Sequence, residues 1–228
     1  PRFDNGGRVH TLCHAVPGKW HVMGVTQGAG LSFKWFKETF CQKEIEDCKE
    51  NKLNIYDVLT AKAAQSKPGA NGVIYLPYLM GERTPHLDPN VKGGFLGVSL
   101  INNHDDFIRS ILEGVSFSLK NCLDIIEDMN VNIHDIRVSG GGAESEVWRQ
   151  ILSDIFGYSL TTVKASEGPA LGVAILAAVG TGIYPSVEDA CNKIIKGQDK
   201  VTPNKDTHEE YMKVYKVYNS LYPKIKDI

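Results

Sequence analysis

The spacing of apolar residues along this 228-residue chain changes period repeatedly, and each change marks an element. Val9–Ala15 and Lys19–Val25 alternate as strands do, and Val16-Pro17-Gly18 between them predicts a hairpin. Over Leu31–Phe40 the spacing becomes helical, carried by Leu31, Trp35 and Phe36. Glu44–Asn51 is charged and reads as surface helix or loop. Ile55–Ser66 predicts an amphipathic helix with Val58, Leu59 and Ala63 inward, stopped by Lys67-Pro68-Gly69. Val73–Leu76 and Gly93–Ser99 read as short strands. The aperiodic stretch between them, Pro77 to Lys92, is rich in apolar and aromatic residues, which predicts a packed Ω-loop with Glu82 and Arg83 in local ion pairs.

The longest regular pattern follows. Ile108, Ile111, Leu112, Val115, Leu119, Cys122, Leu123 and Ile126 form one apolar stripe, capped by Asn103, with Asp105 and Asp106 in the first turn where the helix dipole favours negative charge. This helix is the expected spine. Ile136–Val138 is a strand that stops at three glycines, and Ser145 opens a helix carrying Trp148, Ile151, Leu152, Ile155 and Phe156, ended by Gly157. Tyr158–Val163 is a further strand. Glu167-Gly-Pro-Ala begins a helix with Pro169 at its first position. Ala170, Gly172, Ala174, Ala177 and Ala178 make that helix small-sided, so another backbone can pack very close to it. Ser186-Val-Glu-Asp is a capping-box pattern, and the last helix, Glu209–Leu221, carries Tyr211, Tyr215, Tyr218 and Tyr222 as a docking stripe. A hairpin followed by alternating strands and helices predicts an α/β domain with a mixed sheet flanked by helices.

Composition narrows the function classes. A net charge of −2 without any basic block argues against nucleic acid or an anionic membrane as the main partner. No apolar run reaches the roughly 18 residues of a membrane span, and no signal peptide is visible. The five cysteines, odd in number and without CxxC spacing, read as reduced thiols of a cytoplasmic protein. His10, His14 and His21 fit cross-strand surface histidines better than a metal site, because no acidic or cysteine partner stands at ligand spacing. Pro1 in place of Met suggests a piece of a longer chain.

Two glycine-rich turns lead from strand to helix: Gly24-Val-Thr-Gln-Gly-Ala-Gly30 and Ser139-Gly-Gly-Gly-Ala-Glu-Ser145. Bare backbone and the unpaired N–H groups of a helix start suit polar or anionic ligand atoms. Neither turn is a GxGxxG or Walker motif, and each reads equally as a tight turn.

Three segments together resemble the FGGY family of carbohydrate kinases. These are Gly93-Gly-Phe-Leu-Gly-Val…Asp106-Phe…Ser110-Ile-Leu-Glu113, Ser139-Gly-Gly-Gly-Ala-Glu-Ser, and Glu167-Gly-Pro-Ala-Leu-Gly-Val-Ala-Ile-Leu-Ala. Cys13–Trp20, Tyr75–His86 and Trp148-Arg-Gln look like the branch that phosphorylates xylulose. The resemblance implies an actin-like ATPase (ribonuclease-H-like) fold, with residues 1–228 as the C-terminal nucleotide-binding domain. The N-terminal sugar-binding domain and the first strands of this domain would precede it. It further implies that Gly30 lies at the terminal phosphates with Lys34 one turn on, and that Gly140, Gly141, Gly142, Ala143 and Ser145 line adenine and ribose. ATP and Mg²⁺ are the implied cofactors, and ATP or ADP, a small sugar and the N-terminal domain the implied partners, with a homodimer left open. The reaction implied is transfer of the ATP γ-phosphoryl to a ketose such as D-xylulose. Gluconate, another pentulose, and a non-enzymatic actin-like module are the alternatives. Glu144 stands where the family's turn usually has a basic residue. The family's catalytic Asp is expected upstream of Pro1, so no residue here takes that role, and the chain alone is expected to be inactive.

Overall fold

The computed structural model describes residues 2–163 and 168–227. Its strands form three small sheets. β1 (His10–Cys13) pairs antiparallel with β2 (Trp20–Met23), and β3 (Ile74–Leu76) antiparallel with β4 (Gly94–Leu96). In the third sheet β5 (Ile136–Val138) runs parallel to β6 (Leu160–Val163), which runs antiparallel to β7 (Gly197–Val201). The expected mixed character is therefore found in the third sheet. The strand β7 has no apolar alternation: four of its five residues are exposed, and backbone pairing to β6 holds it. The helices described are α1 (Ala29–Phe40), α2 (Gln42–Asn51), α3 (Ile55–Ala63), α4 (His104–Asp128), α5 (Glu146–Phe156), α6 (Gly168–Gly180), α7 (Val187–Ile194), α8 (Lys205–Asn219) and α9 (Tyr222–Ile225).

The spine is α4, and it is buried on every side over residues 108–118. Its start is a capping box: the Asn103 side chain accepts from the Asp105 and Asp106 amides, while Asp106 accepts from the Asn103 amide at 3.0 Å. Burial alone would raise the Asp106 pKa. Hydrogen bonds from Ser66, Asn103 and Asn71 outweigh it and hold the carboxyl below its usual range. Gly114 allows the closest crossing, because a Cβ there would overlap the Tyr75 carbonyl oxygen of β3. One turn earlier, Arg109 donates to Glu113 at 2.6 Å and to the Tyr211 hydroxyl at 2.7 Å, and Tyr211 donates to Glu113 at 2.8 Å. The tyrosine stripe thus docks inside the protein. Tyr211, Tyr215 and Tyr218 are buried around Phe117, with ring centroids 5.3–6.0 Å from it.

Three expectations change. The buried residues of α1 are Ser32, Phe33 and Phe36, while Leu31 is 40% exposed and Trp35 partly buried. On α6 the small residues Ala170, Gly172, Ala174 and Ala177 are exposed. Only Ile175 of that helix is buried, and open space surrounds Gly172. Glu167, expected to begin α6, lies outside the described residues. The Pro77–Lys92 loop is packed as expected, but Glu82 makes no ion pair among the described residues; its partners are two amides and two hydroxyls. Arg83 turns instead to His10, 2.7 Å away. An apolar pattern reports burial, and it cannot say which charged side chains meet.

The same loop receives the C-terminus. His86 stacks on Tyr222 with ring centroids 3.6 Å apart, its Nε2 lies 3.2 Å from the Tyr78 hydroxyl, and Tyr222 donates to Asp88 at 3.0 Å. Burial pushes the His86 pKa from 6.5 down to about 4. The unfolded chain therefore binds this proton more readily than the folded one. The contribution of His86 to stability is full above pH 6.5 and declines as pH falls towards 4. Replacing it by Phe keeps an aromatic ring on Tyr222, so His86→Phe should flatten the fall of Tm across that window. An unchanged slope in the variant would contradict this assignment.

Candidate functional site

The triple-glycine turn is built by its two ends. β5 delivers the chain to Gly140, whose φ of 85° suits glycine and strains other residues. Gly141–Ala143 form a single 3-10 turn, closed by Ala143 N–H on the Gly140 carbonyl at 2.9 Å. Ser145 then caps α5 by accepting from the Trp148 amide at 3.3 Å. Arg149, one turn later, reaches back to the Ala143 and Glu144 carbonyls at 2.7 and 3.2 Å and ties down the end of the turn. Gly142 is packed: a Cβ there would stand 3.2 Å from the Trp148 ring. Gly141 faces open space.

That space is a cleft of about 370 Å³ between the turn and the starts of α1 and α3. Gly30, Phe33, Tyr56, Asp57, Gly141 and Trp148 are among its lining residues, together with Asn54, Thr60, Gly142, Glu144 and Ser145. The Phe33 ring lies 5.5 Å from Tyr56 and 5.7 Å from Trp148, the latter edge-on at 81°. Trp148 Nε1 donates to Ser116 of α4 at 3.3 Å, which fixes the indole from behind. At the α1 end no side chain caps the helix and no acidic residue occupies its first turn. The first amides of a helix have no partner within it, so this end offers N–H groups and a positive dipole end. Asp57 and Glu144 add carboxylates to the lining of the cleft. The cleft therefore joins aromatic faces and bare backbone with hydrogen-bond acceptors and a helix start. A flat heteroaromatic ring bearing N–H or hydroxyl donors, with an anionic tail, matches that combination.

A second cleft of about 450 Å³ opens on the other side of the same turn, lined by Gly140, Ala143, Arg149, Thr162, Gln198 and Asp199 among others. Gly141 and Glu144 face both clefts.

Of the residues expected at a site, Gly30, Gly141, Gly142 and Ser145 meet at the first cleft, whereas Gly140 and Ala143 line the second. Lys34 is exposed and lines neither. Successive helical residues point about 100° apart, and Phe33 takes the direction that faces the cleft. Nearer the cleft stands Lys37, with Nζ 3.3 Å from the Tyr56 hydroxyl and 5.0 Å from its ring centre. Sequence alone did not single out Phe33, Asn54, Tyr56, Asp57 and Thr60, and it gave Trp148 as part of the apolar face of its helix and of a family-like segment rather than as a cleft wall. An exposed aromatic beside an acid at the start of α3 was the available signal, but only the fold sets it opposite the triple glycine.

Comparison with known proteins adds three kinds of likeness. A model of the C-terminal domain of the FGGY family of carbohydrate kinases matches residues 6–181. The chain is 38% identical over 220 residues to a xylulose kinase of Staphylococcus epidermidis, covering 96% of this chain and 42% of that protein. It is 34% identical over 223 residues to a gluconokinase of Bacillus subtilis, covering 97% and 43%. Among solved structures, a ligand-bound xylulose kinase from Lactobacillus acidophilus superposes with a TM-score of 0.85 at 22% identity, covering 98% of this chain and 43% of that one. The chain thus spans less than half the length of these relatives.

Removing the Ser145 hydroxyl leaves the Trp148 amide without its cap. Ser145→Ala should cost about 1 kcal/mol of stability, read as a lower urea midpoint at unchanged m-value. An unaltered midpoint would show that the cap contributes nothing.

Proposed function

Because the chain belongs to the FGGY family of carbohydrate kinases, we propose that it is the nucleotide-binding half of an enzyme that transfers the γ-phosphoryl of ATP to a ketose. The observation that carries this reading is the first cleft, where the open backbone of Gly141 faces Phe33, Tyr56 and Trp148. In this reading adenine and ribose lie among those groups, with Gly142 and Ser145 beside them and Gly140 and Ala143 shaping the turn. Asp57 and Glu144 accept from ribose hydroxyls or the exocyclic amine. Glu144 faces the neutral part of the nucleotide, so its charge does not oppose binding as it would beside a phosphate. The phosphates run towards Gly30 and the uncapped start of α1. Lys34, exposed one turn further on, would reach only the end of the phosphate chain.

Phosphoryl transfer asks a protein mainly for positioning and charge stabilisation, with one carboxylate to take the acceptor hydroxyl's proton. Neither Asp4 nor Asp88 suits that last role. Asp4 pairs with Arg8 at 2.7 Å, and Asp88 accepts from Tyr222 and from the Asn90 amide. We assign the base and the sugar contacts to the remaining length that the relatives possess, so this chain alone should not turn over sugar. No group of three or more His, Cys, Asp or Glu able to hold a metal occurs among the described residues. Mg²⁺ enters the proposal as a companion of the ATP phosphates, where it would neutralise charge.

D-xylulose is the favoured acceptor, supported by the relatives of that name, and a role in xylose metabolism follows from it. Gluconate is the second reading, supported by the gluconokinase relative. A cytoplasmic setting is supported by the five free cysteines. An assembly module is disfavoured, because three of the four tyrosines that suggested one are buried against α4.

The site assignment is tested with Gly141→Trp. No atom lies within 4 Å of a Cβ at Gly141, so the indole can enter the cleft without disturbing the fold. Calorimetry should show weak ATP and ADP binding by the wild-type chain and none by the variant, with circular dichroism unchanged. Equal binding by both would remove the site assignment.

A further inference from the structure

Glu82 is a carboxylate only 3% exposed, with no ion-pair partner among the described residues. Its two oxygens divide their work. Oε1 accepts from the Gln27 amide at 2.9 Å and the Arg83 amide at 2.8 Å, and Oε2 accepts from the Thr26 hydroxyl at 2.8 Å and the Ser118 hydroxyl at 3.1 Å. Ser118 Oγ also lies 2.8 Å from Thr26 Oγ1, so the three side chains form a closed triangle between α4 and the segment before α1. Thr84 continues the clamp: its amide donates to the Val25 carbonyl at 2.9 Å, and its hydroxyl accepts from the Val25 amide at 3.0 Å. Gly28 is seated on Pro77, whose carbonyl oxygen a Cβ would overlap.

Val25, Thr26, Gln27 and Gly28 are thus held from behind, residue by residue, by the Pro77–Lys92 loop and α4. The chain then turns outward at Ala29 and Gly30, where open space faces the first cleft. Among the described residues no backbone–backbone hydrogen bond holds Thr26 or Gln27, which belong to no helix or strand. A carboxylate buried this deeply is costly, since burial favours its neutral form, and its four donors are what offset that cost.

We infer that Glu82 is a positioning residue for the nucleotide's phosphate groups, acting through the Thr26–Gly30 segment whose backbone it fixes. The inference rests on the nucleotide reading given above. It adds that affinity at the phosphate end is set by a residue on a different loop that touches no ligand itself. Glu82 hydrogen-bonds to none of the residues that line the cleft, so its influence should divide one nucleotide into two parts.

The test compares ATP with adenosine on the 228-residue chain, by calorimetry or ligand-observed NMR. Glu82→Ala frees the Thr26–Gly30 segment and should weaken ATP about tenfold while adenosine changes less than about twofold. Glu82→Gln keeps an oxygen for the two amides, and the hydroxyls can rotate to accept from its NH₂ group, so it should restore ATP binding to within about threefold of wild type. Thr26→Val removes only the loop-side hydroxyl and should lower the ATP-to-adenosine affinity ratio about threefold. It serves as the deciding variant should Glu82→Ala fail to fold. Equal losses for both ligands would mean that Glu82 serves only the fold, and an unchanged ratio in Glu82→Ala or in Thr26→Val would likewise overturn the inference. A wild-type chain that binds neither ligand would instead remove the nucleotide reading, and this inference with it.

Discussion

A helix buried on all sides must satisfy every polar group it carries, and that constraint on α4 organises this structure. Arg109 and Glu113 are stabilised by each other and Tyr211, with the Ala63 and Ser66 carbonyls and the Gly69 amide completing the set, and removing one partner of such a buried pair typically costs about 3–5 kcal/mol. The requirement fixes α8 against α4. Two residues on the same helix do for the candidate site what Arg109 does for the fold. Ser116 holds the Trp148 indole that walls the cleft, and Ser118 holds Glu82 and Thr26 behind the start of α1. The two ends of the cleft are thereby referred to one rigid rod, so their separation is a property of α4 rather than of the loops that display them.

The cleft brings the carboxylates of Asp57 and Glu144, the Trp148 ring, the triple glycine and the uncapped start of α1 to one surface. In the proposed reading Glu144 faces the neutral part of the nucleotide, where its charge does not oppose binding.

Much of this was legible in the chain. The apolar stripe and Asn103 identify α4 and its start, the Ser-Gly-Gly-Gly-Ala-Glu-Ser run identifies the turn, and three separated segments identify the family. Other features were not legible, for physical reasons. The resemblance implies Lys34 near the phosphates one turn beyond Gly30, and helical geometry gives the direction that faces the cleft to Phe33. β7 carries no alternation because its order comes from backbone pairing. Small residues on α6 allow close packing without supplying a neighbour, and open space stands beside Gly172. Tyr56 and Asp57 lie far from residues 140–145 in sequence and meet them only through packing on α4 and α5. Glu82 looks like a surface ion-pair residue until its four uncharged donors are seen.

The nucleotide is proposed to occupy the cleft on the Trp148 side of the triple-glycine turn, and a crystal structure of the chain grown with ADP tests this directly. An adenine ring is expected among Phe33, Tyr56 and Trp148 over Gly141, with the phosphates directed at Gly30. An adenine seated on the other side of the turn, against Arg149, Thr162 and Asp199, would contradict it.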